Sequence, residues 1–249
     1  MKSHKVIAVT GLNAVLAIAL HRPHLIERLF FIREIAFSLR ELCQDMAHRQ
    51  KVYRMVTSDE LAKISESVHH GGVAAICAIP PYEVIKGIMV QDWINHHKRL
   101  LILDSIGNSH NLGAVIRSAA FLGWRTILLS GKLESMTPSP SVFRVSEGGM
   151  EHVSIYHCPN LIEFIRHYHS DFCFIATSHK GKKPLREFLS QTPPDQPIAV
   201  IMGNEEQGLD QHVTHDCHYH IAIEGSQKVE SLNISAASAI LLYTLSQTT

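Results

Sequence analysis

Short apolar runs alternate with stretches of helical period along the whole chain, in two sections separated by a proline pair. In the first section, residues 11–21 gather Ala14, Val15, Ile18 and Ala19 on one side of a helix. Residues 28–32, 51–56 and 72–79 read as strands and 35–48 as a helix. Ser58 is a good N-cap for a further helix, with Asp59 and Glu60 favourably placed in its first turn. This alternation predicts a small α/β layer structure over residues 1–80. Pro80-Pro81 ends it, because two successive prolines fit neither a helix interior nor a central strand. Residues 81–98 are polar and mixed around Trp93, and read as a linker or a short bridging helix.

The second section, residues 99–249, alternates as well. Strands are expected at 100–104, 125–130, 172–178, 198–202 and 219–223, and helices at 111–122, 161–169 and 231–245. Thr137–Ser141 reads as a Ser/Pro-rich loop and Ser146–His152 as a structured turn or short helix. Ile198-Ala-Val-Ile-Met202 lacks polar alternation, so it belongs in a parallel sheet buried on both faces.

Composition narrows the class without naming a function. With 249 residues, 45% hydrophobic and 18% charged, the chain can build a real core, which excludes fibrous and disordered classes. Basic and acidic side chains number 23 each, but residues 1–98 hold 12 and 9 while the rest hold 11 and 14, a balance of +3 against −3. Neither value alone marks a nucleic-acid binder. Lys180, Lys182, Lys183 and Arg186 cluster in one loop, either as a solvated turn or as a phosphate contact. Five cysteines without a C-x-x-C pair argue for reduced thiols and a cytoplasmic protein. Residues 1–20 imitate a secretory leader, with Ala17-Ile-Ala19 as a mock cleavage site, but Gly11 and Asn13 interrupt the apolar stretch. No run approaches the roughly 20 apolar residues that span a bilayer, so a soluble protein with no membrane partner is expected. His212, His215, Cys217, His218 and His220 match no zinc spacing, so no metal is expected.

Ligands of open α/β sheets collect beyond the carboxyl ends of the strands, and three loops there carry suitable residues. After the strand 100–104, Arg117 lies off the buried stripe of Leu112, Val115, Ile116, Ala119 and Ala120. Gly113, one turn earlier on the face of Arg117, either clears a path for a ligand or is an ordinary helix glycine beside a surface arginine. Gly203-Asn-Glu205-Glu-Gln-Gly208 suggests a tight wrap around a ligand-facing acid, or a plain strand-to-helix turn. Ser231, Asn233 and Ser235 crowd polar groups where a helix opens, for capping or for a bound polar group. The chain has no Gly-x-Gly-x-x-Gly turn, no phosphate loop and no Gly-x-Ser-x-Gly elbow.

Taken together and in this order, Asn111-x-Gly113-x-x-x-Arg117, Gly203-x-Glu205-x-x-Gly208 and Ser231-Leu-Asn-Ile-Ser235 resemble the three motifs of the SpoU family of RNA ribose 2′-O-methyltransferases, over residues 100–245. Gly11-x-Asn13-Ala-Val15 and His69-His-Gly-Gly-Val73 resemble that family's RNA-binding N-terminal domain, related to a ribosomal-protein fold. The resemblance implies a knotted α/β catalytic domain of the SPOUT class, bound S-adenosylmethionine, a homodimer, and tRNA or rRNA as substrate. It also implies a catalytic group of Arg117, Asn111, Glu205, Ser231 and Asn233. Backbone around Gly203, Ile223 and Leu232, with Thr177, would hold the methyl donor. A guanidinium stays protonated, so Arg117 is expected to clamp a phosphate and steady the developing alkoxide. Proton removal then falls to a phosphate oxygen, to water or to Glu205. An RNA-binding protein that keeps the fold without catalysis is the alternative. Gly107-Asn-Ser-His110, Ser146-Glu-Gly-Gly149 and His70-Gly71 depart from the common pattern and resemble a branch described generally as tRNA/rRNA methyltransferases.

Overall fold

The computed structural model describes residues 5–131, 138–181, 183–189, 197–204, 206–226 and 228–247. The chain forms two compact units, one from 1–81 with 137–152 and the other from 82–136 with 153–249.

In the first unit, β1 (Lys5–Thr10), α1 (Leu12–His21), β2 (Ile26–Phe31), α2 (Arg40–His48), β3 (Val52–Met55), α3 (Ser58–Ser65) and β4 (Val73–Ile79) build a four-stranded sheet of order β1-β4-β2-β3. β4 runs antiparallel to both neighbours, whereas β2 and β3 are parallel. The leader-like beginning is sheet and core. Val9, Val15 and Ile18 are fully buried, and β1 pairs residue by residue with β4. Its apolar character serves packing, which is why pattern alone could confuse it with a leader. The cap of α3 is Thr57, not Ser58. Its hydroxyl accepts from the Glu60 N–H at 3.3 Å while the Glu60 carboxylate accepts from the Thr57 N–H at 2.9 Å, a reciprocal capping box. The expected helix 35–48 is split, with a 3-10 stretch Arg33–Leu39 before α2.

A later segment completes this unit. The expected loop 137–141 is in part helix, because Pro140 occupies the first turn of Pro140–Ser146 (α6 in chain order), where its missing N–H costs nothing. Val142, Phe143 and Met150 are buried, and a side-chain carbon on Gly148 would sit 3.0 Å from the Ala17 methyl. Arg22 grips the Glu151 carboxylate with two hydrogen bonds of 2.5 Å, and Asn13 donates to Glu147 at 2.9 Å.

Among the described residues, the second unit holds a sheet of eight parallel strands flanked by helices. In chain order its elements are β5 (Glu83–Val84), α4 (Gly87–Asn95), β6 (Leu100–Asp104), α5 (Ser109–Phe121), β7 (Thr126–Ser130), β8 (Ser154–Cys158), α7 (Leu161–His167), β9 (Cys173–Thr177), β10 (Lys183–Pro184), α8 (Leu185–Leu189), β11 (Ile198–Met202), α9 (Gln211–His215), β12 (Tyr219–Ala222) and α10 (Ile234–Ser246). The strand order is β10-β12-β9-β11-β6-β7-β8-β5. Every residue of β7, β9 and β11 is buried, as uninterrupted apolar strands between two helical layers require. Of the two readings of residues 81–98, the short helix holds and the linker does not: β5 pairs with β8, and α4 sends Val90 and Trp93 into the core beside Phe164, Phe172 and Phe174. Helices α5 and α10 pack together, tied by the buried Trp124 indole, which donates to the Leu242 carbonyl at 3.2 Å and the Ser246 hydroxyl at 2.9 Å.

Candidate active site at the carboxyl edge of the parallel sheet

The strands of the second unit all point one way, so the loops after β6, β7, β9, β11 and β12 gather at one edge. The loop after β11 closes on itself. A side-chain carbon on Gly203 would lie 2.5 Å from the Gly208 carbonyl, so only glycine fits there. The Asn204 side-chain oxygen accepts from the N–H groups of Glu206 (2.9 Å) and Gln207 (3.0 Å), and the Gly208 N–H returns to the Asn204 carbonyl at 2.9 Å. Glu205 itself lies outside the described residues.

The next loop begins at Ser105, which holds a left-handed backbone (φ 57°) while its N–H donates to the Ser130 carbonyl at 2.9 Å. Asn108 then caps α5 by accepting from the N–H groups of His110 and Asn111. On α5, Arg117 is exposed and Gly113, one turn earlier, is buried. Across 122 residues of sequence, Asn233 donates to the Asn111 side-chain oxygen at 3.2 Å. Asn233 is also the cap of α10, accepting from the Ser235 N–H at 2.9 Å. Helix α10 therefore starts three residues later than the sequence pattern suggests, and Ser231 and Leu232 stand exposed before it.

At the β9 and β12 ends, the buried Thr177 hydroxyl donates to the Ile201 carbonyl at 3.0 Å, and Ile223 is half-buried. The Ser178 hydroxyl meets the His220 ring at 2.7 Å and accepts from the Lys180 N–H at 3.1 Å. Gly181 passes so close to the Ile221–Ala222 peptide that no side chain could be added. Of the loop cations, Lys180 is exposed and Lys182 lies outside the described residues. Lys183 sits 5.2 Å over the Tyr219 ring and 3.8 Å from Glu187, and Arg186 grips Glu224 at 2.5–2.6 Å. That grip holds the Glu224 carboxyl below the usual carboxylate range and raises the Arg186 guanidinium.

Among the described residues no group of three or more His, Cys, Asp or Glu could hold a metal. His218 stacks on His169 at 3.9 Å and accepts from the Phe174 N–H, and burial with that neighbour pushes its pKa down. In the first unit, the two glycine-bearing segments meet: the Gly11 N–H donates to the His70 carbonyl at 3.1 Å, and buried His70 accepts from the Gly72 N–H at 3.1 Å.

Asn111 and Asn233 are thus brought into contact, and Thr177 ends β9 while Gly203 and Ile223 follow its two neighbours, β11 and β12. Sequence reading passes over Asn204, Ser105 and Asn108. A short Asx side chain beside a glycine turn is the available signal for Asn204 and Asn108; nothing in the sequence marks the left-handed Ser105.

An edge site on an all-parallel sheet, in a chain that also carries a separate small α/β unit, defines a two-unit α/β protein with a ligand crevice where its parallel strands end. The SpoU rRNA Methylase family model matches residues 98–243, and a model for RNA 2′-O ribose methyltransferase substrate binding matches residues 8–83. The chain belongs to the SpoU rRNA methylase family. It is 30% identical over 238 residues to the uncharacterized tRNA/rRNA methyltransferase YfiF of Escherichia coli O157:H7, covering 94% of this chain and 66% of that one. It is 32% identical over 147 residues to an uncharacterized tRNA/rRNA methyltransferase of Haemophilus influenzae, covering 59% and 41%. The chain therefore spans about two thirds or less of the lengths of these relatives. Among solved structures, the SpoU methyltransferase AviRb from Streptomyces viridochromogenes, in complex with AdoMet, shares the fold with a TM-score of 0.75 at 19% identity, covering 97% of this chain and 90% of that one. An rRNA methyltransferase from Sinorhizobium meliloti gives 0.72 at 20%, covering 96% and 86%.

Proposed function

We propose that the protein transfers a methyl group from S-adenosylmethionine to a ribose 2′-hydroxyl of tRNA or rRNA. The observation that carries this reading is the contact between Asn111 and Asn233, which unites the first and third motifs at the edge where the second closes into its loop. Family membership and the AdoMet complex of the fold relative AviRb support the choice of donor. The residues present suit that compound. The loops after β9, β11 and β12 offer backbone groups and the uncharged Gly203, Ile223 and Leu232, a setting for a flat heterocycle rather than for a chain of phosphates.

S-adenosylmethionine supplies, when bound, an electrophilic methyl on a sulfonium. The ribose hydroxyl must lose its proton as its oxygen takes that methyl, so alignment and charge control are the protein's tasks. Arg117 clamps the phosphate of the target nucleotide and steadies the developing alkoxide. Asn111, held by Asn233, and the neighbouring Ser231 orient the ribose and the arginine. The proton leaves to Glu205, to a phosphate oxygen or to water.

The first unit binds the RNA, a reading supported by the substrate-binding model over 8–83, with Lys180, Lys182, Lys183 and Arg186 as further phosphate contacts in the second. Because Arg186 and Lys183 already have acidic partners, these contacts require exchange of an ion pair and add less to RNA affinity than the loop's formal charge suggests. The packing of Gly181 against the Ile221–Ala222 peptide, between β9 and the outer strand β10, is consistent with the trefoil knot of the family. Phe121, Ile240 and Tyr243 expose an apolar surface on α5 and α10, which supports a homodimer through these helices. No described helix is long and apolar enough to cross a membrane; the cytoplasm, where RNA and the donor both occur, is the proposed location.

The test uses methyl-labelled S-adenosylmethionine with unmodified tRNA and rRNA transcripts. The wild-type chain should label RNA at the ribose, whereas Arg117→Ala should abolish transfer while calorimetric donor affinity stays nearly intact. Undiminished turnover by the variant removes Arg117 from its role; a wild-type chain that neither retains donor nor labels RNA overturns the function.

A further inference from the structure

We infer that Asn204 is a positioning residue that sets the spacing between the donor loop 203–208 and the loop leading into α5; this rests on the methyltransferase reading above. Its side chain works at both ends. The oxygen accepts from the N–H groups of Glu206 and Gln207 and shapes its own loop, while the amide nitrogen donates to the Ser105 carbonyl at 2.9 Å, across 99 residues of sequence. The acceptor is itself held firmly. Ser105 takes a left-handed backbone, donates its N–H to the Ser130 carbonyl, and lies under Gly131, where an added side-chain carbon would come within 3.0 Å of the Ser105 hydroxyl and 3.2 Å of its Cα.

The carboxyl ends of three neighbouring strands, β11, β6 and β7, are thereby fastened in a row. A non-glycine residue in the left-handed region costs about 1 kcal/mol or more and persists only where its surroundings impose it. Here it turns the Ser105 carbonyl toward Asn204. From Ser105 the chain runs three residues to the Asn108 cap and so to Asn111 and Arg117 on α5. An in-line transfer depends on the distance between the donor's methyl and the accepting oxygen. A connection between the loop proposed to hold the one and the helix proposed to hold the other bears directly on rate.

Asn204→Asp separates the two duties. A carboxylate still accepts from Glu206 and Gln207, but it has no N–H for Ser105 and faces that carbonyl with like charge. Asn204→Ala removes both. With methyl-labelled S-adenosylmethionine and the same transcripts, single-turnover transfer by Asn204→Asp should fall about 10- to 100-fold while the donor Kd stays within about threefold. Asn204→Ala should lose transfer and also weaken donor binding by roughly tenfold. Wild-type transfer by Asn204→Asp overturns the inference and leaves the methyltransferase reading standing. A loss of donor affinity by Asn204→Asp equal to its loss of rate also overturns it, because the residue would then serve its own loop only. A wild-type chain inert toward both donor and RNA takes down the function, and this role with it.

Discussion

Cys77, Cys158 and Cys217 lie in apolar surroundings, and loss of hydration, the largest influence on each, pushes their thiols up to about 12. The protonated form is favoured in the fold, so at pH 8 the reactive thiolate is far scarcer than for an ordinary cysteine. Iodoacetamide at pH 8 should leave these three unmodified in the folded chain and alkylate all five cysteines in guanidinium, as read by peptide mass. Prompt alkylation of any of the three in the folded chain would contradict the burial of Cys77 and Cys158 and the half-burial of Cys217. Charge at single residues also limits the loop 180–186: with Arg186 on Glu224 and Lys183 near Glu187, its formal charge overstates what a phosphate would meet.

Among elements, those with a long and one-sided pattern were legible. The apolar strand 198–202 matches β11 residue for residue, and the helix at 161–169 differs from α7 only by a frayed last turn. What escaped was short or amphiphilic. Strand β8 (Ser154–Cys158) carries Ser154, Tyr156 and His157 and gains its place from β7, a long-range partner that no local window contains. Helix α4 was legible only as a short bridging helix around Trp93, and its seat in the core beside Phe164 and Phe174 was not. At the site, residue types and order along the chain were readable from the motifs. The meeting of Asn111 with Asn233, and of Asn204 with Ser105, depends on tertiary closure over about a hundred residues. The α5–α10 pair that presents Asn111 and Asn233 should be sensitive at Trp124. Truncation to alanine removes a fully buried indole and both its hydrogen bonds, and should cost about 3–5 kcal/mol in denaturant unfolding. A loss under about 1 kcal/mol would mean that the two helices do not depend on it.

For the whole molecule, assembly is the decisive quantity. Phe121, Ile240 and Tyr243 are 87%, 40% and 58% exposed on the paired helices α5 and α10. If two copies join there, the wild-type chain should sediment at twice 27.9 kDa, and the double change Phe121→Asp with Tyr243→Asp should sediment at 27.9 kDa with its circular dichroism unchanged. A variant that stays dimeric places the interface elsewhere.

The stretch 138–152 leaves the parallel-sheet unit after β7, joins the first unit and comes back to start β8. Its anchors there are Arg22 on Glu151, Asn13 on Glu147 and the seat of Gly148 against Ala17. The front of this protein is therefore stitched in rather than strung on. Trimming away 1–81 would strand Val142, Phe143 and Met150 as a greasy flap, and grafting another RNA-reading module would mean transplanting two separate stretches of chain together.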